Sequence, residues 1–331
     1  VRWTRMLWPI PGDEHLRATL MVHELFHRIQ GRLGLPPANA GDNAHLDEVD
    51  GRYYMQLEWR ALAKALEHDG ATRDSSVRDA LRFRAERYRI YPKAAAEERA
   101  LEMNEGLAEY TGVRVGNPTP ALRTKMALHD LAAHVSDQTF VRSFAYATGP
   151  AYGLLLDRYA PGWRRGLTPS ASLDSLLRRA VHAGATGNIE LIAKRYGGDA
   201  LRAAEVERDR KRQETLALNR RKFVDGATLT LEFRHMNVQF DPRTLQPLAN
   251  AGTVYPTIHV SDDWGILDAK NGALMKPDWS ALVVVAPSST EGSHVSGDGW
   301  TLELKLGWKI VPDARSGDFT LSPPQPAEST H

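Results

Sequence analysis

Around residue 224 the apolar residues of this chain stop recurring every three or four positions and begin to alternate. A helix buries a stripe of period 3.6 and a strand buries one of period 2, so the two stretches cannot share one regular layer. Upstream, the spacing predicts helices over about 13–33, 47–68, 73–89, 93–112, 119–134, 137–159, 170–182 and 187–195, with Gly112 placed as a C-cap. The segment 199–222 carries charges of both signs, Glu205, Arg208, Asp209 and Lys211 among them, and reads as a solvated helix face. Residues 2–8 alternate loosely and read as a short strand. Downstream, Thr228–Phe233, Thr257–Val260, Ala281–Val285 and Thr301–Ile310 alternate, with turns such as Asn271-Gly272 between them. The fold class expected is α+β. A mainly helical domain over 1–222 precedes a small all-β, sandwich-like domain over 223–322, and a disordered, Pro-rich tail covers 323–331.

Composition narrows the chemistry. At 331 residues, either domain can bury a real core. Lys and Arg number 42 against 41 Asp and Glu, a net charge of +1, which argues against a dedicated nucleic-acid binder. Cysteine is absent, so disulfides, zinc ribbons, iron–sulfur clusters and thiol nucleophiles are excluded. A transition metal would have to be held by His and carboxylate. No apolar run is long enough to span a membrane. The chain opens Val-Arg-Trp, which reads as a processed or trimmed product. Together with the missing thiols, that favours a periplasmic or secreted location.

His23-Glu24-Leu25-Phe26-His27 is an HExxH motif inside the first helical segment. Residues four apart leave a helix on the same face, so both imidazoles can reach one Zn²⁺ at about 2.0–2.1 Å. Glu24 stands beside the first of them as general base for a metal-activated water. Leu20, Met21, Val22, Leu25, Phe26 and Ile29 are expected to bury the rest of the helix. A metzincin third ligand fails, because Gln30 and Leu33 stand where that pattern needs Gly and His. The remaining candidates are distant carboxylates.

Glu98, Glu102, Glu105 and Glu109 form one stripe by their spacing of four, three and four. Such a stripe is repulsive unless a metal with its histidines, or arginine, faces it. Glu105 and Glu109 lie in Asn104-Glu105-Gly106-Leu107-Ala108-Glu109-Tyr110, which resembles the NEGxAxY segment of the gluzincin zinc metallopeptidases that include the M1-type aminopeptidases. The resemblance implies that Glu105 is the third zinc ligand. Glu109, one turn further on, is placed to orient a ligand from behind. Glu48 and Asp50, in Asp47-Glu48-Val49-Asp50-Gly51, are the rival third ligands by distance from the motif. Tyr146-Ala147-Thr148-Gly149 is similar to the family's YxKG segment, which implies that the Tyr146 hydroxyl donates to the oxyanion; Tyr152 is the alternative donor.

The resemblance covers roughly residues 1–160 and has departures. Between His27 and Glu105 lie 77 residues, far more than the family has, and two extra helices fill the gap. Thr148 replaces the usual Lys, and the family's GxMEN segment is missing. What the resemblance implies is a zincin-like catalytic domain with one Zn²⁺ per chain on His23, His27 and Glu105, hydrolysing peptide or protein substrates. Glu102 or Glu98 could hold a substrate ammonium, and the inserted helices could wall the cleft, with cleavage inside peptides favoured over cleavage from a free amino end. The alternatives are a catalytically inactive zincin-like binding protein and a zinc hydrolase with a non-peptide substrate. The β domain is expected to supply no metal ligand.

Overall fold

A computed structural model of the chain describes residues 8–182, 187–241 and 244–324. The strand expected over residues 2–8 and most of the expected tail lie outside the described residues. A helical region is followed by an all-β region of two sheets, so the molecule is α+β, as the two periodicities predict. The chain divides into two compact units, Val1–Asp209 and Arg210–His331.

The first unit is helical. Its elements are α1 (Glu14–Gln30), α2 (Val49–Glu67), α3 (Gly70–Ile90), α4 (Ala94–Leu101), α5 (Leu107–Gly116), α6 (Pro120–Ala133), α7 (Ser143–Tyr159), α8 (Leu173–Ala180) and α9 (Ile189–Lys194). The long α10 (Gly198–Arg220) begins in this unit and ends in the second. Asp13 caps α1 by accepting from the backbone N–H of His15 and Leu16, which satisfies two of its orphan donors. A π-helical turn, Glu102–Gly106, joins α4 to α5. Single π turns of this kind widen a helix locally and recur at functional sites.

The core of the first unit is built on α2, buried on most of its faces through residues such as Met55, Leu57, Trp59 and Leu62. The inserted helix α2 is therefore a central packing element. A buried charge network ties α2 and α3 to the helix that carries Glu105. Arg84, fully buried on α3, donates its Nη1 and Nη2 to both oxygens of Glu102 at 2.8 and 2.6 Å, and its Nε to Glu58 at 2.8 Å. Arg87 makes a second two-pronged pair with Glu98, both bonds at 2.7 Å. Guanidinium forks matched to carboxylates in this way are the strong form of the interaction.

Glycines set the approach of the helices that carry the candidate site. A Cβ on Gly149 of α7 would lie 2.2 Å from the Gly106 carbonyl oxygen, so the two backbones meet where neither has a side chain. The last residue of NEG thus packs on the last residue of YATG, which brings Tyr146 beside Glu105. Gly112 is not the C-cap expected of it. It sits inside α5, where a Cβ would meet the Thr19 carbonyl oxygen of α1 at 2.5 Å, and the helix continues to Gly116.

In the second unit, one sheet holds seven strands in the order β11 (Lys309–Pro312), β12 (Phe319–Ser322), β1 (Thr228–Glu232), β8 (Ala281–Val285), β7 (Ala273–Met275), β4 (Thr253–Tyr255) and β3 (Gln246–Pro247). The other holds β2 (Asn237–Phe240), β5 (Ile258–Asp262), β6 (Gly265–Ala269), β10 (Trp300–Leu304) and β9 (His294–Gly297). Leu229, Leu282 and Val284 of the first sheet share a core with Val260, Leu267 and Leu302 of the second, which makes the unit a sandwich. The stretch Thr301–Ile310, expected as one strand, is split between the sheets. Gly307, at φ +86°, turns the chain in the left-handed region between β10 and β11.

Candidate metal centre

The inward face of α1 is polar. Its buried residues are Thr19, His23, Phe26 and Gln30. Met21, Leu25 and Ile29, expected in the core, are 47, 55 and 45% exposed. Of the two faces of α1 it is the histidine face that is buried, because the partners of His23 and His27 lie on α5 and the π turn.

Three donor atoms converge there. His23 Nε2 and His27 Nε2 are 3.1 Å apart, and each lies 3.4 Å from Glu105 Oε2. A tetrahedral ion bonded at roughly 2.0–2.1 Å to such donors sets them about 3.3–3.4 Å apart, so the triangle fits the base of a zinc site. The donor set, two imidazoles and one carboxylate, also suits zinc. These three residues are brought together as a candidate metal cluster among the described residues. Glu48 starts α2 and is not part of it.

Groups behind the triangle aim the rings. His23 Nδ1 lies 2.6 Å from Glu109 Oε2, and His27 Nδ1 lies 3.0 Å from Gln30 Oε1. With Nδ1–H donating backwards in both rings, both Nε2 lone pairs face the same point. The Gln30 amide in turn donates to the Met103 carbonyl at 3.5 Å, within the π turn. Sequence reasoning treated Gln30 only as a departure from the metzincin pattern. The signal that it matters was its place three residues after His27, on the same helix face.

The acidic stripe divides at the π turn. Glu105 and Glu109 face the histidines, while Glu98 and Glu102 are buried against Arg87 and Arg84. Glu102 is bound further by the Thr148 hydroxyl at 2.5 Å, and Glu98 lies 2.7 Å from His45 Nε2. Neither is available to hold a substrate ammonium. Behind Glu109, burial and the Glu109 charge push the Asp130 carboxyl well above its ordinary value, and its Oδ2 has no hydrogen-bond partner among the described residues.

Tyr146 stacks its ring on that of His23, with centroids 5.5 Å apart and planes 6° from parallel. Its hydroxyl donates to Glu105 Oε2 at 2.8 Å. Tyr152, the alternative donor, is fully buried and donates to Glu58 at 2.8 Å, away from the cluster. Glu24 is half-buried and makes no hydrogen bond or ion pair among the described residues. The cluster opens to solvent on the His27 side, where that side chain is 28% exposed against 4% for His23.

Without metal, the two imidazoles are pushed toward their protonated form and Glu105 toward its ionised form. Burial alone would depress His23, but the Glu105 and Glu109 carboxylates overcome it and push its pKa up to about 9. Burial raises Glu105, but hydrogen bonds from His23, His27 and Tyr146 outweigh it and hold that carboxyl well below the usual range. The folded pKa of His23 exceeds its unfolded value of 6.5, so in metal-free protein its stabilisation is present below pH 6.5 and lost as pH rises toward about 9. A metal ligand must be neutral imidazole, so binding expels this proton. Zinc affinity is expected to rise about tenfold per pH unit or more between pH 6.5 and 9, then to level off. Chelator competition across that range measures it, and a flat profile would disprove the assignment.

Ligand and support roles separate by magnitude. Glu105→Ala leaves two protein donors and should cost orders of magnitude in zinc affinity. Glu109→Ala removes a group behind a ligand and should cost about 10–100-fold. Glu48→Ala should change little. Wild-type affinity in Glu105→Ala would move the third ligand elsewhere.

No protein-family model, no curated protein and no solved structure matches this chain.

Proposed function

We propose that this protein is a zinc-dependent peptidase of the gluzincin type. The observation that carries the reading is the triangle of His23 Nε2, His27 Nε2 and Glu105 Oε2, with edges of 3.1, 3.4 and 3.4 Å and an unpaired Glu24 one residue from its first corner. His23, His27 and Glu105 would hold one zinc ion, whose chemistry is Lewis acidity toward water and a substrate carbonyl. Glu24 accepts the proton of the attacking water and returns it to the leaving nitrogen. Tyr146, its hydroxyl already at the cluster, turns from Glu105 to donate to the oxyanion of the tetrahedral intermediate.

The reading favours cleavage within peptides. Glu98 and Glu102, the carboxylates considered for a substrate ammonium, are spent on buried arginines. No helix among the described residues is long and apolar enough to cross a membrane.

The test is a matched pair of internally quenched peptides, one N-acetylated and one free, incubated with zinc-loaded protein. Cleavage of both at an internal bond is the expected result. Cleavage of only the free peptide, one residue from its end, would make the protein an aminopeptidase. Stoichiometric zinc with no cleavage across a broad peptide library would favour a binding protein. Tyr146→Phe should lower kcat by about 10²–10³ with little change in KM, the pattern of a donor used in the transition state. An effect below about threefold would return Tyr146 to packing.

A further inference from the structure

The helices that carry the candidate centre also run away from it, and at their far end a different chemistry collects. Asp157 follows Tyr146 by 11 residues on α7, roughly 16 Å along the helix axis at about 1.5 Å per residue. Here α2, α3, α5, α6 and α7 line an open, solvent-facing cavity of about 340 Å³. Arg73, Arg114, Arg123 and Arg158 line it, with Asp157 as the acidic residue in the wall.

The carboxylates nearby do not balance these arginines. Asp157 is shared: it accepts from Arg114 Nε at 3.2 Å, from Arg164, and from the Tyr110 hydroxyl and the Trp163 indole, both at 2.9 Å. Asp69, 79% exposed, serves both Arg73 at 2.8 Å and Arg158 at 3.2 Å. Asp74 accepts from the Tyr159 hydroxyl and keeps its own charge, which still leaves more guanidinium groups than carboxylates here. Arg123 reaches only backbone, donating to the carbonyls of Asn117 and Pro118 at 2.8 and 3.0 Å. Arg73 Nη1 is buried with no hydrogen-bond partner among the described residues. Burial and the neighbouring Arg114 charge push Arg123 below its ordinary pKa and outweigh the Asp157 carboxylate, which acts the other way. The first turn of α6, from Pro120 to Arg123, faces the same space and adds the positive end of a helix dipole. Thr124 also lines it, and the rest of the wall is apolar, with Leu66, Leu154 and Leu155.

We propose that this cavity binds a phosphate ester, its phosphoryl group held by Arg73, Arg114 and Arg123 and its organic part laid against Leu66, Leu154 and Leu155. A phosphoryl dianion has three free oxygens for several guanidinium forks, whereas a carboxylate has two. The leucine wall and the size of the cavity suit an ester better than a free phosphate ion. The proposal does not depend on the metal centre or on peptidase activity.

Calorimetric titration of the full chain with phenyl phosphate and with inorganic phosphate tests it. Saturable binding of phenyl phosphate, at least tenfold tighter than inorganic phosphate, is expected. Arg123→Ala should weaken it at least tenfold. Because Arg123 also ties down the loop before α6, Thr124→Glu is the second variant. It puts a negative charge in the cavity wall without removing a contact, and should weaken phenyl phosphate binding at least tenfold with melting temperature and zinc content unchanged. No saturable binding of phenyl phosphate, or wild-type affinity in folded Thr124→Glu, would overturn the site. Inorganic phosphate binding as tightly as phenyl phosphate would overturn the ester.

Discussion

Glu24→Gln is expected to keep stoichiometric zinc and to lose about 10²–10⁴ in kcat. Glutamine has nearly the same shape as glutamate but no basic oxygen to receive the proton of water. Metal should stay because the three donors at the corners of the triangle are His23, His27 and Glu105, and Glu24 is none of them. Structure should stay as well, since among the described residues the Glu24 carboxylate makes no hydrogen bond or ion pair that the substitution could break. Elemental analysis beside a peptide-cleavage assay separates the two properties. A wild-type rate would sink the base role, and metal lost along with the rate would make Glu24 a ligand.

The second large effect lies in the core. Arg84→Met should destabilise the protein by about 3–5 kcal/mol. Arg84 is fully buried and is the fork on which both Glu102 oxygens rest, with Glu58 on its Nε. Removing it leaves the Glu102 carboxylate without its counter-charge where water cannot solvate it, while Glu58 keeps Arg87 at 2.8 Å. The cost is larger than that of the lost contacts, because an unpaired buried charge is worse than no charge at all. Urea unfolding followed by circular dichroism measures the loss. Arg89→Met is the control: Arg89 pairs with Glu86 but is 70% exposed, and its removal should barely move the midpoint. A similar small shift for Arg84→Met would mean that water reaches the network. The disturbance should also reach the metal centre, since Glu102 opens the π turn that carries Glu105.

The change of apolar period near residue 224 determined the α+β organisation, because a side chain's direction around its own helix or strand follows from local geometry. The same rule put His23 and His27 on one face and Glu24 off it, and it lined up Glu98, Glu102, Glu105 and Glu109. Local period says which way a side chain points, not what it meets. The stripe reads as one face, yet Arg84 and Arg87 on α3 take Glu98 and Glu102, while the histidines of α1 take Glu105 and Glu109. The π turn decides the split by widening the helix between Glu102 and Glu105, and the capacity of a residue run to adopt it was invisible in the spacing. The apolar flanks of HExxH were misplaced for the same reason, since Met21, Leu25 and Ile29 had no partner on their side of α1 within the first unit. Gln30 and Gly149 gained their parts only from neighbours far along the chain, the Met103 carbonyl and the Gly106 backbone. Tertiary packing alone brings such groups together, because burial rewards close contact without regard to separation in sequence.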